Sequence, residues 1–255
     1  MKQIHAYLNQ HNILHHTNHD ITIATVSSDA SGVNLAEQLL YEILDKATVL
    51  YLSGGRTPKS LYTRLAQAEA LTLGAVGMVD ERFGHKFHEK SNEKMIRETG
   101  LLRYLEIKDI PFYPILQNND MDRVTTADAY DEKVRSLNAI FHQSVGILGI
   151  GTDGHTSSLA PNREKEFENP MFAQTNQHLV VSEFNDPKSM YGERVGMTFL
   201  GLSLLDILIV LVFGEDKKSA LDKLFEEGSE QLIPARFFKR PAIAKKTLFI
   251  TDQNV

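Results

Sequence analysis

Apolar residues recur along the chain in short runs: ITIATV (21–26), ATVLYLS (47–53), AVGMVD (75–80), IPFYPI (110–115), VGILGIG (145–151), HLVVSE (178–183), DILIVLVFG (206–214) and TLFIT (247–251). Several are apolar at consecutive positions, the pattern of strands covered on both faces. Between them the period changes. Residues 31–46 set Val33, Ala36, Leu39, Leu40, Ile43 and Leu44 near one face at helical spacing, and 58–69, 92–105, 122–142 and 215–227 share that character. This alternation predicts an α/β fold: a doubly wound, mostly parallel sheet with helices on both faces. No repeat, low-complexity tract or linker divides the chain, so residues 1–255 read as a single α/β domain, with the polar stretch 162–176 as a surface excursion.

Composition narrows the functional classes. A chain of 255 residues buries roughly 75% of its unfolded surface and builds a full core without staples. The absence of cysteine excludes disulfides, thiolate catalysis and Cys-ligated zinc, and fits a reducing compartment. The N-terminal stretch lacks the apolar core of a signal peptide, and the longest apolar run, Ile207 to Phe213, is too short to span a bilayer. A net charge of −6 disfavours nonspecific binding to nucleic acid or anionic membranes, while leaving a local phosphate pocket open. The expectation is a cytoplasmic globular protein acting on a small molecule. His11, His15 and His19, with His16 alongside, would align toward a metal on one helix; no acidic ligand set stands nearby, so a solvated helix or loop without metal is the expected reading.

Ligands of open α/β sheets sit outside the carboxyl ends of the strands, and four stretches there carry chemistry. In LSGGRTPKSLY (52–62) a strand ends at Ser53, Gly54 and Gly55 allow close backbone approach, and Thr57-Pro58 opens a helix with Thr57 as cap. Free N–H groups at a helix start favour an anion; Ser53, Thr57, Arg56 and Lys59 add hydroxyls and charge, although an ordinary tight turn explains Gly-Gly and Thr-Pro alone. In VDERFGHKFHEKSN (79–92), Asp80, Glu81 and Arg82 leave a strand directly. A carboxylate there can move a proton and Arg82 can polarise a carbonyl, while Ser91 caps the next helix and Asn92 faces the site from its first turn. In the stretch 193–225, Arg194 precedes an apolar segment, and Lys217 falls in a helix's first turn, unfavourable to the dipole without an anion unless Glu215 and Asp216 offset it.

Residues 146–161, GILGIGTDGHTSSLAP, contain G-x-G-x-x-G at Gly149, Gly151 and Gly154. A dinucleotide fingerprint needs a substantial helix after the third glycine, and Pro161 stands too close for one. The alternative is a sharp turn that presents Asp153 and His155. A carboxylate beside a histidine selects its tautomer, and imidazole, with an ordinary pKa of about 6.5, serves as general base near neutrality.

Taken together, LSGGRTP, VDERF with Ser91-Asn92, GIGTDGHTSSLAP, ERVGMTFLGLSLLD and GEDKK resemble the 6-phosphogluconolactonase family, related to the glucosamine-6-phosphate deaminases, in order and over residues 52–218. The resemblance implies their doubly wound fold and hydrolysis of a sugar-phosphate lactone, 6-phospho-D-glucono-1,5-lactone, without metal or cofactor. By resemblance, Ser53, Gly54, Gly55 and Thr57 bind phosphate with Arg194 and Lys217 as cationic partners. His155 activates water, Asp153 orients it, and Arg82 stabilises the oxyanion. Arg56 stands where the family has a small hydroxyl residue, Met78-Val79 replaces a Trp-containing lead-in, and Ala160 and Asn162 alter the segment around Pro161. An isomerase-deaminase, in which Asp80 shuttles a proton, and a non-catalytic sugar-phosphate binder are the alternatives.

Overall fold

The computed structural model describes residues 1–117, 120–162, 176–184 and 190–255. The expected surface excursion at 162–176 therefore lies, apart from its end residues, outside the described residues.

The chain opens with helix α1 (Lys2–Gln10), which buries Ile4 and Leu8, and an antiparallel pair, β1 (His15–Asn18) and β2 (Ile21–Thr25). There follow α2 (Asp29–Ile43), β3 (Thr48–Leu52), α3 (Arg56–Ala68), β4 (Ala75–Met78), β5 (Asp80–Arg82), α4 (Asn92–Glu98), α5 (Leu101–Ile107) and α6 (Arg123–Ile140). The second half holds β6 (Gln143–Gly149), β7 (Val180–Phe184), β8 (Glu193–Met197), α7 (Phe199–Ser203), β9 (Ile207–Val212), α8 (Lys218–Phe225) and, after a short 3₁₀ turn and helix, β10 (Thr247–Thr251).

Seven strands form one sheet in the order β1-β2-β10-β9-β6-β3-β4, parallel except at the β1 edge. Every residue of β3, β9 and β10 is buried, as consecutive apolar positions require of strands covered on both faces. The α/β class, the parallel sheet and its central strands are those the apolar runs predict. A single hydrophobic cluster runs through sheet and helices.

Three local readings change. IPFYPI is not a strand: it makes one bridge, Phe112 to Val76, because Pro111 and Pro114 have no N–H with which to extend a ladder. The helix read at 92–105 is two, broken where Gly100 takes a left-handed φ of 85°. HLVVSE belongs not to the main sheet but to a separate antiparallel one, β5-β8-β7. Its middle strand, ERVGM, is mixed in polarity and too short to announce itself in an apolar-run reading.

This second sheet is tied to the first through Tyr130 on α6. The buried Tyr130 hydroxyl accepts from Met78 N at 2.5 Å and donates to Met78 O at 2.9 Å, fixing the backbone where β4 hands over to β5. Asp131 beside it accepts from the N–H groups of Leu179 and Val180 at the start of β7. Tyr130→Phe leaves a buried donor and acceptor without partners. It is expected to cost about 1–3 kcal/mol, read as a lower urea midpoint with an unchanged m-value; an unshifted midpoint contradicts the role.

Candidate active site

A cleft of about 640 Å³ opens at the carboxyl ends of β3, β4, β6 and β9, as the topology of open parallel sheets directs. Ser53, Gly54, Gly55, Arg56, Thr57, Asp80, Arg82, Asn92, His155, Arg194 and Lys217 all line it. Asp153 does not, and reaches it through His155.

One end of the cleft is built for an anion. Helix α3 starts two residues earlier than Thr57-Pro58 suggests: Gly55 is the cap, at φ 113°, and Arg56 is the first helical residue. Thr57 is therefore not the cap, and Pro58, the third helical residue, has no N–H to offer. The N–H groups of Arg56 and Thr57 have no carbonyl acceptor within the helix, and their positive end faces the cleft. Half-buried Lys217 arrives from the turn after β9. The Arg56 side chain runs outward, 95% exposed and 3.8 Å from Asp216. Gly54 carries no side chain because a Cβ there would overlap the amide of Asn92, which is buried and donates to Asp80 O at 3.0 Å.

The other end holds an imidazole–carboxylate pair. Past β6, Gly151 N bonds His155 O at 2.8 Å and Gly154 N bonds Gly151 O at 3.0 Å, closing a tight loop. None of the described residues 155–162 that follow Gly154 is helical, so the dinucleotide fingerprint lacks a helix start at its third glycine. The loop brings His155 Nδ1 to 2.6 Å from Asp153 Oδ1, leaving Nε2 for the cleft. A Cβ on Gly151 would overlap the His155 ring and lie 2.6 Å from Asp153 Oδ1. The hydrogen bond from His155, opposed only in part by burial, holds the Asp153 carboxyl down at about 2. Thr156 donates to Gly149 O at 3.1 Å, and the Ser158 hydroxyl is buried without a hydrogen-bond partner among the described residues.

Between the two ends stand Asp80 and two arginines. In the β5–β8 register Arg82 lies directly opposite Arg194, and Asp80 opposite Gly196. Like charges directly across a ladder repel, so this pairing suits a site that receives a negative charge. Burial pushes the Asp80 carboxyl up, against the pull of Arg82, Arg194 and His155. Glu81 turns away from the cleft and accepts from Arg82 N, Asn92 N, Glu93 N and Ser91 Oγ at 2.7–2.9 Å, binding the start of α4 to β5. Burial pushes it up to about 7 while these four donors draw it down.

Asp216 and Ser157 also line the cleft, as do Asp29 and Asp252, which sequence reading missed. Asp252 was within reach of the same rule, since it directly follows β10. The helix that would align His11, His15 and His19 does not form: α1 ends at Gln10, His15 is in β1 and His19 sits in a turn at φ 48°. Among the described residues no group of three or more His, Cys, Asp or Glu side chains is placed to hold a metal ion.

Residues 28–248 match the model of the glucosamine-6-phosphate isomerases/6-phosphogluconolactonase family. The chain belongs to this family. Among curated members, it is 30% identical over 74% of its length to a 6-phosphogluconolactonase of Nostoc, of which the match covers 76%. It is 27% identical over 87% of its length to one from Rhizobium meliloti, of which 93% is covered. The 6-phosphogluconolactonase from Plasmodium vivax superposes with a TM-score of 0.76 over 100% of this chain and 96% of that one at 18% identity, and that from Trypanosoma cruzi with 0.69 over 93% and 96% at 24%. These likenesses establish the family's fold for the whole described sheet. No helix among the described residues is long and apolar enough to cross a membrane.

The pair at the cleft makes a direct prediction. In His155→Ala the Asp153 carboxyl loses its hydrogen bond and is expected to titrate back toward 3.8 from about 2, followed by carboxyl-carbon NMR. Because the folded value is the lower one, the stabilisation this bond provides is present above 3.8 and lost as pH falls through about 2. An Asp153 titration unmoved by the substitution contradicts the pairing.

Proposed function

We propose that this family member hydrolyses 6-phospho-D-glucono-1,5-lactone to 6-phosphogluconate. The observation that carries the reading is the polarity of the cleft: an anion-binding helix start at one end, and an imidazole with a free Nε2 at the other. A phosphorylated sugar lactone presents a dianion at one end and an electrophilic carbonyl at the other.

The phosphate binds the N–H groups of Arg56 and Thr57, the Ser53 and Thr57 hydroxyls, and Lys217. Gly54 and Gly55 let it approach the backbone. Asn92 keeps Gly54 and Asp80 in register, and Arg194 and Arg82 face the sugar from β8 and β5. His155 Nε2 removes a proton from water as the water oxygen bonds to C1. Asp153 fixes the tautomer and stabilises the imidazolium that results. Charge that develops on the carbonyl oxygen is met by Arg82. The C1–ring oxygen bond then breaks, and the proton held by His155 passes to the ring oxygen. Asp80 faces both arginines and holds them toward the cleft.

Freshly prepared lactone, followed by acid release in a pH-stat, tests the reading against the spontaneous rate. Wild-type protein is expected to accelerate hydrolysis, and His155→Ala to lower kcat by roughly 10²–10⁴. Arg194→Ala is expected to raise KM with a smaller loss of kcat, by about tenfold or more for a lost charge-assisted bond. No acceleration by wild type, with ammonia released from glucosamine 6-phosphate, would transfer the chain to the isomerase branch of its family. Tight sugar-phosphate binding without either reaction would make it a binder.

A further inference from the structure

The loop between β5 and α4, residues 83–91, contributes no group to the chemistry above, yet it buries a histidine. His88 is 1% exposed and stacks on Tyr191, with ring centroids 3.8 Å apart and planes 12° from parallel. Gly84 lies against both rings, and a Cβ there would come within 2.7 Å of the Tyr191 ring and 3.0 Å of the His88 ring.

Both ring nitrogens of His88 are engaged. Nε2 lies 2.9 Å from Arg82 O, and Lys90 N donates to Nδ1 at 3.2 Å. A carbonyl only accepts and an amide N–H only donates, so the ring is the neutral Nε2–H tautomer. Burial acts in the same direction, lowering its pKa.

These contacts end on the two arginines that face the cleft. Arg82 Nη1 donates at 2.7 Å to the carbonyl of Lys90, the residue whose N–H is fixed by His88. Arg194 Nη1 donates at 2.6 Å to the carbonyl of Tyr191, the residue whose ring is stacked on His88. Arg82 and Arg194 are themselves cross-strand partners whose charges repel. Asp80 attracts both guanidiniums, and the two backbone carbonyls fix the direction in which each is held.

We infer that His88 is a positioning residue: wedged between the 83–91 loop and Tyr191, it sets the carbonyls of Lys90 and Tyr191 that aim Arg82 and Arg194 into the cleft. The inference deepens the lactonase reading and rests on it for its kinetic consequence. The arrangement of the arginines is independent of which substrate enters.

The test has a structural and a kinetic arm. His88→Phe keeps the stack on Tyr191 but removes both hydrogen bonds. His88→Gln restores a donor toward Arg82 O and guards against a merely misfolded Phe variant. Side-chain Nε–H signals of Arg82 and Arg194, assigned by NMR in the substrate-free protein, are expected to shift or broaden in His88→Phe and to recover in His88→Gln. Unchanged arginine signals in folded His88→Phe overturn the inference. In lactone hydrolysis, His88→Phe is expected to lower kcat/KM by roughly tenfold or more, yet by less than about twofold when added to the double substitution Arg82→Ala with Arg194→Ala, since coupled sites are not additive. An equal loss in both backgrounds overturns it, because that marks a loss of general stability. Wild-type protein without lactonase activity counts against the proposed function, and the arginine signals then decide the role of His88 alone.

Discussion

The cleft exists because the backbone approaches its working groups at positions where any side chain would collide. Gly54 lies against the amide of Asn92, Gly151 against the His155–Asp153 pair, and Gly196 against Asp80 and the Ser158 hydroxyl. Gly54 and Gly151 stand two residues beyond the ends of β3 and β6, and Gly196 sits within β8, so rigid elements deliver each to the cleft. Gly54 lets the loop after β3 close on α4. Gly151 lets imidazole and carboxylate share a hydrogen bond of 2.6 Å. Gly196 lets β8 pass close enough to β5 to set Arg194 opposite Arg82. Gly151 of GIGTDG thus serves the placement of the His155–Asp153 pair.

Charge follows the same local logic. The chain carries a net −6, yet its cleft gathers Arg82, Arg194 and Lys217 with the start of α3, while the Arg56 side chain runs outward at its rim. Asp29, Asp80, Asp216 and Asp252 line it as well, so the site is not a uniformly positive funnel. Its two ends have different tasks. Backbone donors and Lys217 gather at one, and a half-exposed imidazole paired to an ionised carboxylate stands at the other. Between them the two arginines are held by backbone carbonyls of their own neighbourhood.

The main sheet was legible because parallel strands covered on both faces read as consecutive apolar residues, and TLFIT and DILIVLV could be little else. The rule that ligands lie beyond the carboxyl ends of strands then pointed to SGGRT, DER and GTDGH without coordinates. What escaped has physical reasons. The strand at 193–197 mixes Glu193 and Arg194 with Val195 and Met197 and pairs in a small second sheet, so no period marks it. The cap of α3 fell on Gly55 because a positive φ satisfied the turn before Thr57 was reached. IPFYPI has the composition of a strand but lacks N–H groups at Pro111 and Pro114. The role of Glu81 as an acceptor for the start of α4 depends on tertiary contact, and so does that of His88.

The central claim is the direction in which substrate lies in the cleft. A crystal structure with bound 6-phosphogluconate measures it most directly. The account requires the phosphate oxygens within hydrogen-bond distance of the Arg56 and Thr57 N–H groups and Lys217, with the C1 carboxylate beside His155 Nε2 and Arg82. A sugar bound in the reverse sense, its phosphate against His155 and its C1 end at the start of α3, would contradict it.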